Sequence, residues 1–219
     1  MTKTLITAVY GSYDPVRALP DDHGFDDAIC VTDGECEVGQ GWRVIIDRRD
    51  EPARLASKRP KMMPWLYADT ESAVWIDGSF QVNPPFAKWA QGHLDLSDFV
   101  VWQHPEGRID IRQEVDVCWF FPKYKDFPMR EQLQSYIDDG MPEHWGLFAC
   151  GTVGWNFTEE TRALGEAWYA EQVKYSIQDQ VSLPYLLWKT GMKFSLWQAN
   201  EYNNPYVTLR WDERPKPQL

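Results

Sequence analysis

An α/β domain, with a mixed and mainly parallel sheet flanked by helices, is what the sequence predicts, and three observations predict it. Short β-branched apolar runs alternate with helix-forming stretches along the chain. Several of the runs stop at polar residues with turn chemistry, as buried strands do when their carboxyl ends face a site. The third is size: 219 residues, 43% hydrophobic and 25% charged, can build a full core, and the chain shows no internal repeat, linker or low-complexity segment. Residues 1–210 are assigned to a single domain, and residues 211–219, with two prolines and mixed charge, to a tail.

The elements follow in order. Leu5 to Tyr10 is β-branched and apolar and ends at the turn Gly11-Ser-Tyr-Asp14-Pro15, which makes it the first strand. Ala28 to Thr32, before Asp33-Gly34, and Trp42 to Ile46 are the next two. Asp50, Glu51 and Pro52 supply an N-cap, an acidic first turn and an early proline for a basic helix carrying Arg54, Lys58 and Lys61, which Pro60 and Pro64 limit or kink. Ala73 to Ile76 and Phe99 to Trp102 read as buried parallel strands. Helices are expected at Met129 to Asp139, closed by Gly140, at Thr158 to Val173, with Glu159 and Glu160 in its first turn, and at Asp179 to Lys189, ending at Gly191. Phe194 to Trp197 reads as a last strand.

Composition narrows the function. Twenty-two basic against 33 acidic residues leave a net charge of -11, and so acidic a surface repels phosphate backbones and anionic lipid, which argues against nucleic acid and membranes as general partners. The apolar run Leu5 to Tyr10 is too short for a signal-peptide core or a membrane span, so the expected setting is the cytoplasm. Cys30, Cys36, Cys118 and Cys150 form no C-x-x-C pair and His23, His93, His104 and His144 are scattered, a pattern of reduced thiols without a zinc cage. Twelve Trp against ten Phe point to a core of large side chains, with a few Trp free to pack against sugar rings in a cleft.

Three clusters can carry chemistry. In Val74-Trp-Ile-Asp77-Gly78-Ser79 an acid stands where a buried strand runs out, a place for Mg or Mn bound to a diphosphate through Asp77 and Ser79; the alternative is a plain Asp-Gly turn. Asp179-Gln180 offers a carboxylate and an amide to sugar hydroxyls, or Asp179 simply caps its helix. His104-Pro105 with Arg108, Arg112 and Glu114 offers cations to a leaving phosphate, or ordinary loop ion pairs. The basic helix with Arg54, Lys58 and Lys61 has the same two readings. No P-loop, dinucleotide-binding or hydrolase-elbow motif occurs.

Taken as an ordered set, Thr7 to Pro15, Cys30 to Asp33, Arg54 to Lys58, Trp75 to Gly78, His104-Pro105 with Arg108 and Glu114, Gln134 to Pro142, and Gln178 to Gln180 with Trp188-Lys189 resemble a known series. It is that of the glycosyltransferase-like family long catalogued as a domain of unknown function, which includes plant Golgi proteins of wall and mucilage polysaccharide synthesis and bacterial and phage proteins. The likeness spans Lys3 to Lys189. It implies a GT-A-like nucleotide-diphospho-sugar transferase fold, in which Ala8 and Tyr10 contact the nucleotide, Asp33 the base edge, and Lys58 with Arg54 the phosphates. Asp77 and Ser79 then occupy the place of a metal-binding D-x-D motif, with Ser79 standing for the second acid, and Gln178 stands where many relatives carry Arg. Trp75, His104, Arg108 and Glu114 would serve donor or acceptor, and Asp179 and Gln180 the reacting sugar.

The first expectation is therefore a transferase moving sugar from a nucleotide diphosphate donor, a UDP-sugar, to a glycan or protein hydroxyl with Mn or Mg. The second is a sugar- or nucleotide-sugar-binding module of the same fold with weakened catalysis. A metal-dependent phosphoesterase would need a denser acidic or His cluster.

Overall fold

The computed structural model describes residues 3–13 and 15–210; the expected tail at 211–219 lies outside the described residues. A seven-stranded sheet has the order β3-β2-β1-β4-β7-β6-β8. Its strands are β1 (Lys3–Val9), β2 (Asp27–Thr32), β3 (Arg43–Ile46), β4 (Ser72–Ile76), β6 (Phe99–Gln103), β7 (Phe148–Asn156) and β8 (Ser195–Leu196). β1 pairs in parallel with β2 and β4, β2 with β3, and β6 with β8, whereas β7 is antiparallel to both β4 and β6. The expected mixed, mainly parallel sheet is thus observed. β5 (Phe80–Val82) and β9 (Val207–Leu209) form a separate antiparallel pair.

Starting at β1, the chain adds β2 and β3 on one side and then returns to place β4 on the other. This reversal leaves a crevice at the carboxyl ends of β1 and β4, where open α/β sheets bind their ligands. The helices are α1 (Ala53–Ala56), α2 (Lys58–Met62), α3 (Phe86–Leu94), α4 (Ile111–Cys118), α5 (Met129–Asp138), α6 (Glu159–Lys174) and α7 (Asp179–Thr190). Among the described residues, no helix is long and apolar enough to cross a membrane.

Some local expectations give way to tertiary structure. The basic helix is broken into α1 and α2, and Pro52 rather than Asp50 precedes its first turn, without a side-chain cap. Pro60 sits inside the first turn of α2, where its missing N–H has no intrahelical partner to lose, and Pro64 opens a 3-10 turn. α7 begins at Asp179 with Gln178 at its N-cap position, so Asp179 is not the cap. Phe99 to Trp102 is a buried strand as expected, but its longer pairing, with β7, is antiparallel.

β7 itself, buried throughout, carries Gly151 and Gly154, which make it look like a loop in sequence. Both glycines answer a close approach. A Cβ at Gly151 would lie 2.5 Å from Glu201 Oε1, and one at Gly154 would lie 3.0 Å from the Trp197 ring.

Two apolar layers sandwich the sheet. One gathers Ile6, Ile29, Trp155, Trp168 and Leu187 under α2, α6 and α7, and the other gathers Val74, Phe86, Trp102 and Trp197 around α3. Trp102, Trp155 and Trp168 are completely buried, so the tryptophan surplus builds core. α2 is pressed onto α6 at Gly165, where a Cβ would come within 2.0 Å of the Met62 carbonyl oxygen and 2.6 Å of Trp65. Gly165→Ala is therefore expected to cost about 2 kcal/mol, read as a fall of several degrees in Tm. An unchanged Tm would mean that α2 does not rest on α6 in this way.

Candidate active site

A cleft of about 880 Å³ opens at the carboxyl ends of β1 and β4. The end of β1 lines it with Ala8 and Tyr10, α1 and α2 with Arg54 and Lys58, and the β4 turn with Asp77 and Ser79. His104, Arg108 and Glu114 line it from beyond β6, and Asp179 and Gln180 from the start of α7. Residues spaced over most of the chain thus converge as the sequence expects.

Beneath the floor lies Lys61, only 2% exposed. Its Nζ donates to Asp179 Oδ2 at 2.6 Å and to Asp77 Oδ1 at 3.2 Å, while Lys58 Nζ donates to the same Asp179 oxygen at 2.9 Å. Burial alone would raise the Asp179 carboxyl, but the Lys58 and Lys61 ammonium groups overcome it and hold the group far below the ordinary carboxylate range. For Lys61, burial pulls the other way and the two aspartates win, so it stays charged. Lys61 does not line the cavity. It anchors two carboxylates that do.

Three expected site residues are placed differently. Trp75 is buried behind the cleft and donates its Nε1–H to Asp77 Oδ1 at 2.6 Å, so it orients the acid and lines no part of the cavity. Asp33 is taken up by backbone, accepting from Gly11 N at 2.6 Å and from Glu35 N at 3.0 Å, and shapes the turn after β1 without lining the cleft. Burial raises its carboxyl slightly, and these N–H groups outweigh that and lower it. Arg112 pairs with Asp110 outside the cleft, which is the loop ion pair that the sequence left open.

His104, Arg108 and Glu114 form one network. Arg108 Nε donates to Glu114 Oε2 at 2.9 Å, its Nη1 donates to Glu106 at 2.7 Å, and its Nη2 lies 3.1 Å from His104 Nε2. Burial, and then the Arg108 charge, push His104 below its ordinary value. Gln178 reaches in from before α7, donating to Glu114 Oε1 and accepting from Tyr124 Oη at 3.2 Å. Arg108 therefore meets two carboxylates already.

Glu201 is the residue that sequence reasoning missed. It enters the cleft from a turn held by Asn200, which accepts from Tyr202 N, and by Asn204, which donates to the Glu201 carbonyl. Only 3% exposed, it accepts from Gly151 N at 3.0 Å through Oε1. Burial, and then the nearby Asp77 charge, push its carboxyl up to about 8. The one sequence signal was an isolated acid among asparagines, which resembles any surface turn.

The Gln180 side chain turns to the His104 ring on the cleft wall, and Tyr10 Oη is buried on the Asp47 and Tyr67 side without a hydrogen-bond partner. For a divalent ion the donor set is short: among the described residues, no group of three or more His, Cys, Asp or Glu gathers around one position. Asp77 Oδ2 accepts no hydrogen bond from a described residue and is a hard oxygen suited to Mg or Mn completed by phosphate and water, whereas Glu201 would add a second only after giving up its proton. Comparison with known protein-family models and with curated protein sequences finds no match to the chain.

Two outcomes follow. Lys61→Met leaves Asp179 buried against Lys58 alone, and is expected to cost about 3 kcal/mol in denaturant unfolding; a cost below about 1 kcal/mol would mean that the bridge is not formed. Glu201 has a folded-state value of about 8 against 4.5 for the free group, so the native state holds the extra proton. The resulting stability is complete below about pH 4.5 and is lost as pH rises towards 8, at up to about 1.4 kcal/mol per pH unit. Glu201→Gln should flatten that part of the stability profile relative to the parent protein. Superimposable slopes would show that Glu201 titrates normally.

Proposed function

We propose that the protein is a glycosyltransferase with a GT-A-like fold, moving a sugar from a nucleotide diphosphate donor, a UDP-sugar, to a hydroxyl of a glycan or protein. The observation that carries this reading is the convergence of Ala8, Tyr10, Arg54, Lys58, Asp77, Asp179 and Gln180 on one cleft at the strand-order reversal. These seven belong to the larger set implied by the likeness to the glycosyltransferase-like family, of which Asp33 and Trp75 lie off the cleft. A cytoplasmic setting belongs to the same reading, and four free thiols suit it.

As the glycosidic bond breaks, negative charge grows on the departing diphosphate, so stabilisation must be strongest there and in the transition state. Arg54 and Lys58 face the cleft for that purpose. Mg or Mn held by Asp77 would add further charge stabilisation at the phosphate oxygens, and its binding would displace the proton from Glu201. Asp179, kept ionised by two lysines, and Gln180, beside it on the cleft, are suited to accept hydrogen bonds from sugar hydroxyls.

A second reading is a nucleotide-sugar-binding module with weakened catalysis. The clamp of both lysines on one Asp179 oxygen favours it, since that oxygen has little left to give a reacting centre.

A screen of UDP-, GDP- and CDP-sugars for release of the nucleotide diphosphate separates the readings. Release from a UDP-sugar is expected, with Asp77→Asn lowering Mn-dependent UDP affinity about tenfold. UDP binding by calorimetry without turnover would select the binding module. No binding of any nucleotide or nucleotide sugar would remove both.

A further inference from the structure

The positive groups of the cleft divide into those already neutralised and those that are not. Arg108 is spent on Glu106 and Glu114, Lys58 leans on Asp179, and Lys61 is enclosed between two aspartates. Arg54 and Lys123 are different. Both line the cleft, and neither forms an ion pair with a described carboxylate. Arg54 donates from Nη1 to the Lys123 carbonyl oxygen at 3.4 Å and stacks its guanidinium 5.5 Å from the Tyr13 ring, and Lys123 Nζ lies 4.6 Å from the Tyr124 ring. The segment after α4 that carries Lys123 is thereby tied to α1 across the mouth of the cleft.

An acidic chain with a net charge of -11 has carboxylates to spare, yet leaves these two cations facing the same space with Lys58 beside them. Their mutual repulsion has an effect. Crowding by the cleft walls, and then the charges of Lys58 and Arg54, hold the Lys123 ammonium below its ordinary value.

We propose that Arg54 and Lys123, with Lys58 between them, form an anion subsite at the cleft mouth that takes the diphosphate of the ligand. Lys123 is the new member, and the assignment rests on the nucleotide-sugar reading only for the identity of the group that carries the diphosphate. A diphosphate matches the arrangement in charge and in shape. Its negative oxygens can meet a planar guanidinium fork on one side and compact ammonium groups on the other. A nucleoside lacking phosphate would gain nothing from the subsite.

Inorganic pyrophosphate is the direct probe, titrated by calorimetry into the whole protein at low ionic strength, with uridine and UDP in parallel. Arg54→Met and Lys123→Met are each expected to weaken pyrophosphate and UDP about tenfold, leave uridine unchanged and leave Tm unchanged. Lys123→Arg should restore most of the affinity. Lys125→Met, an exposed neighbour that does not line the cleft, should cost less than about twofold and serves as the control for the general field. Pyrophosphate binding that ignores Lys123→Met, or falls equally in Lys125→Met, would overturn the subsite. UDP binding indifferent to Lys123 would sink the subsite and keep the nucleotide reading, whereas pyrophosphate binding through Lys123 with no added affinity for UDP would keep the subsite and sink that reading.

Discussion

The site depends on one buried ammonium group. Lys61 joins the carboxyl end of β4 to the first residue of α7 by holding Asp77 and Asp179 together, two residues that lie about a hundred positions apart in the chain. Taking such a group out of water costs several kcal/mol, and its attraction to two carboxylates offsets that cost only while the geometry is kept. The geometry in turn is set by packing. α2 carries Lys61, and α2 rests on α6 where Gly165 leaves no room for a side chain. A glycine on one helix, a lysine on the next and two aspartates at the cleft are therefore one mechanical unit.

This unit decides what Asp179 can be. At the start of a helix an aspartate reads in sequence as a cap, and a capping aspartate could be exchanged for asparagine with little effect. Asp179 instead occupies the first helical position with its carboxylate turned to two ammonium groups, and neutralising it would leave Lys58 and Lys61 facing each other without their shared counter-charge. Its remaining oxygen is the part free for chemistry. A variant at this position would accordingly mix any direct effect on a ligand with collapse of the floor, whereas Gln180, which adjoins it, takes no part in the lysine clamp.

Much of this was legible in the sequence where local chemistry and global position agree. The strands at Leu5, Ala28, Ala73 and Phe99 are apolar runs ended by polar turns, and they form the part of the sheet that carries the site. Asp77 and Asp179 could be singled out because each sits at an element end, and Lys58 because it belongs to a basic stretch in an acidic chain. What was illegible is what depends on close approach between distant segments. β7 is hidden by two glycines that exist to admit Glu201 and Trp197, and Glu201 is hidden because its neighbours in sequence are turn residues, not cleft residues. Trp75 is a donor or acceptor contact only by the family likeness, whereas burial turns its N–H to orienting Asp77. Lys61 was one of three basic residues on an expected helix; only the break between α1 and α2 sends it inward while Lys58 and Arg54 stay on the cleft.

Charge along the cleft is consequently graded. At the floor every cation has its carboxylate, and Glu201 sheds its charge by holding a proton, so the deep end is nearly balanced before any ligand arrives. At the mouth Arg54 and Lys123 remain uncompensated. An anionic group would meet cations at Arg54 and Lys123, and would need a cation of its own to approach Asp77, Asp179 and Glu114. The deep groups are thus fixed by buried ion pairs, whereas Arg54 and Lys123 meet no described carboxylate, so their positive charge is left for whatever enters the cleft.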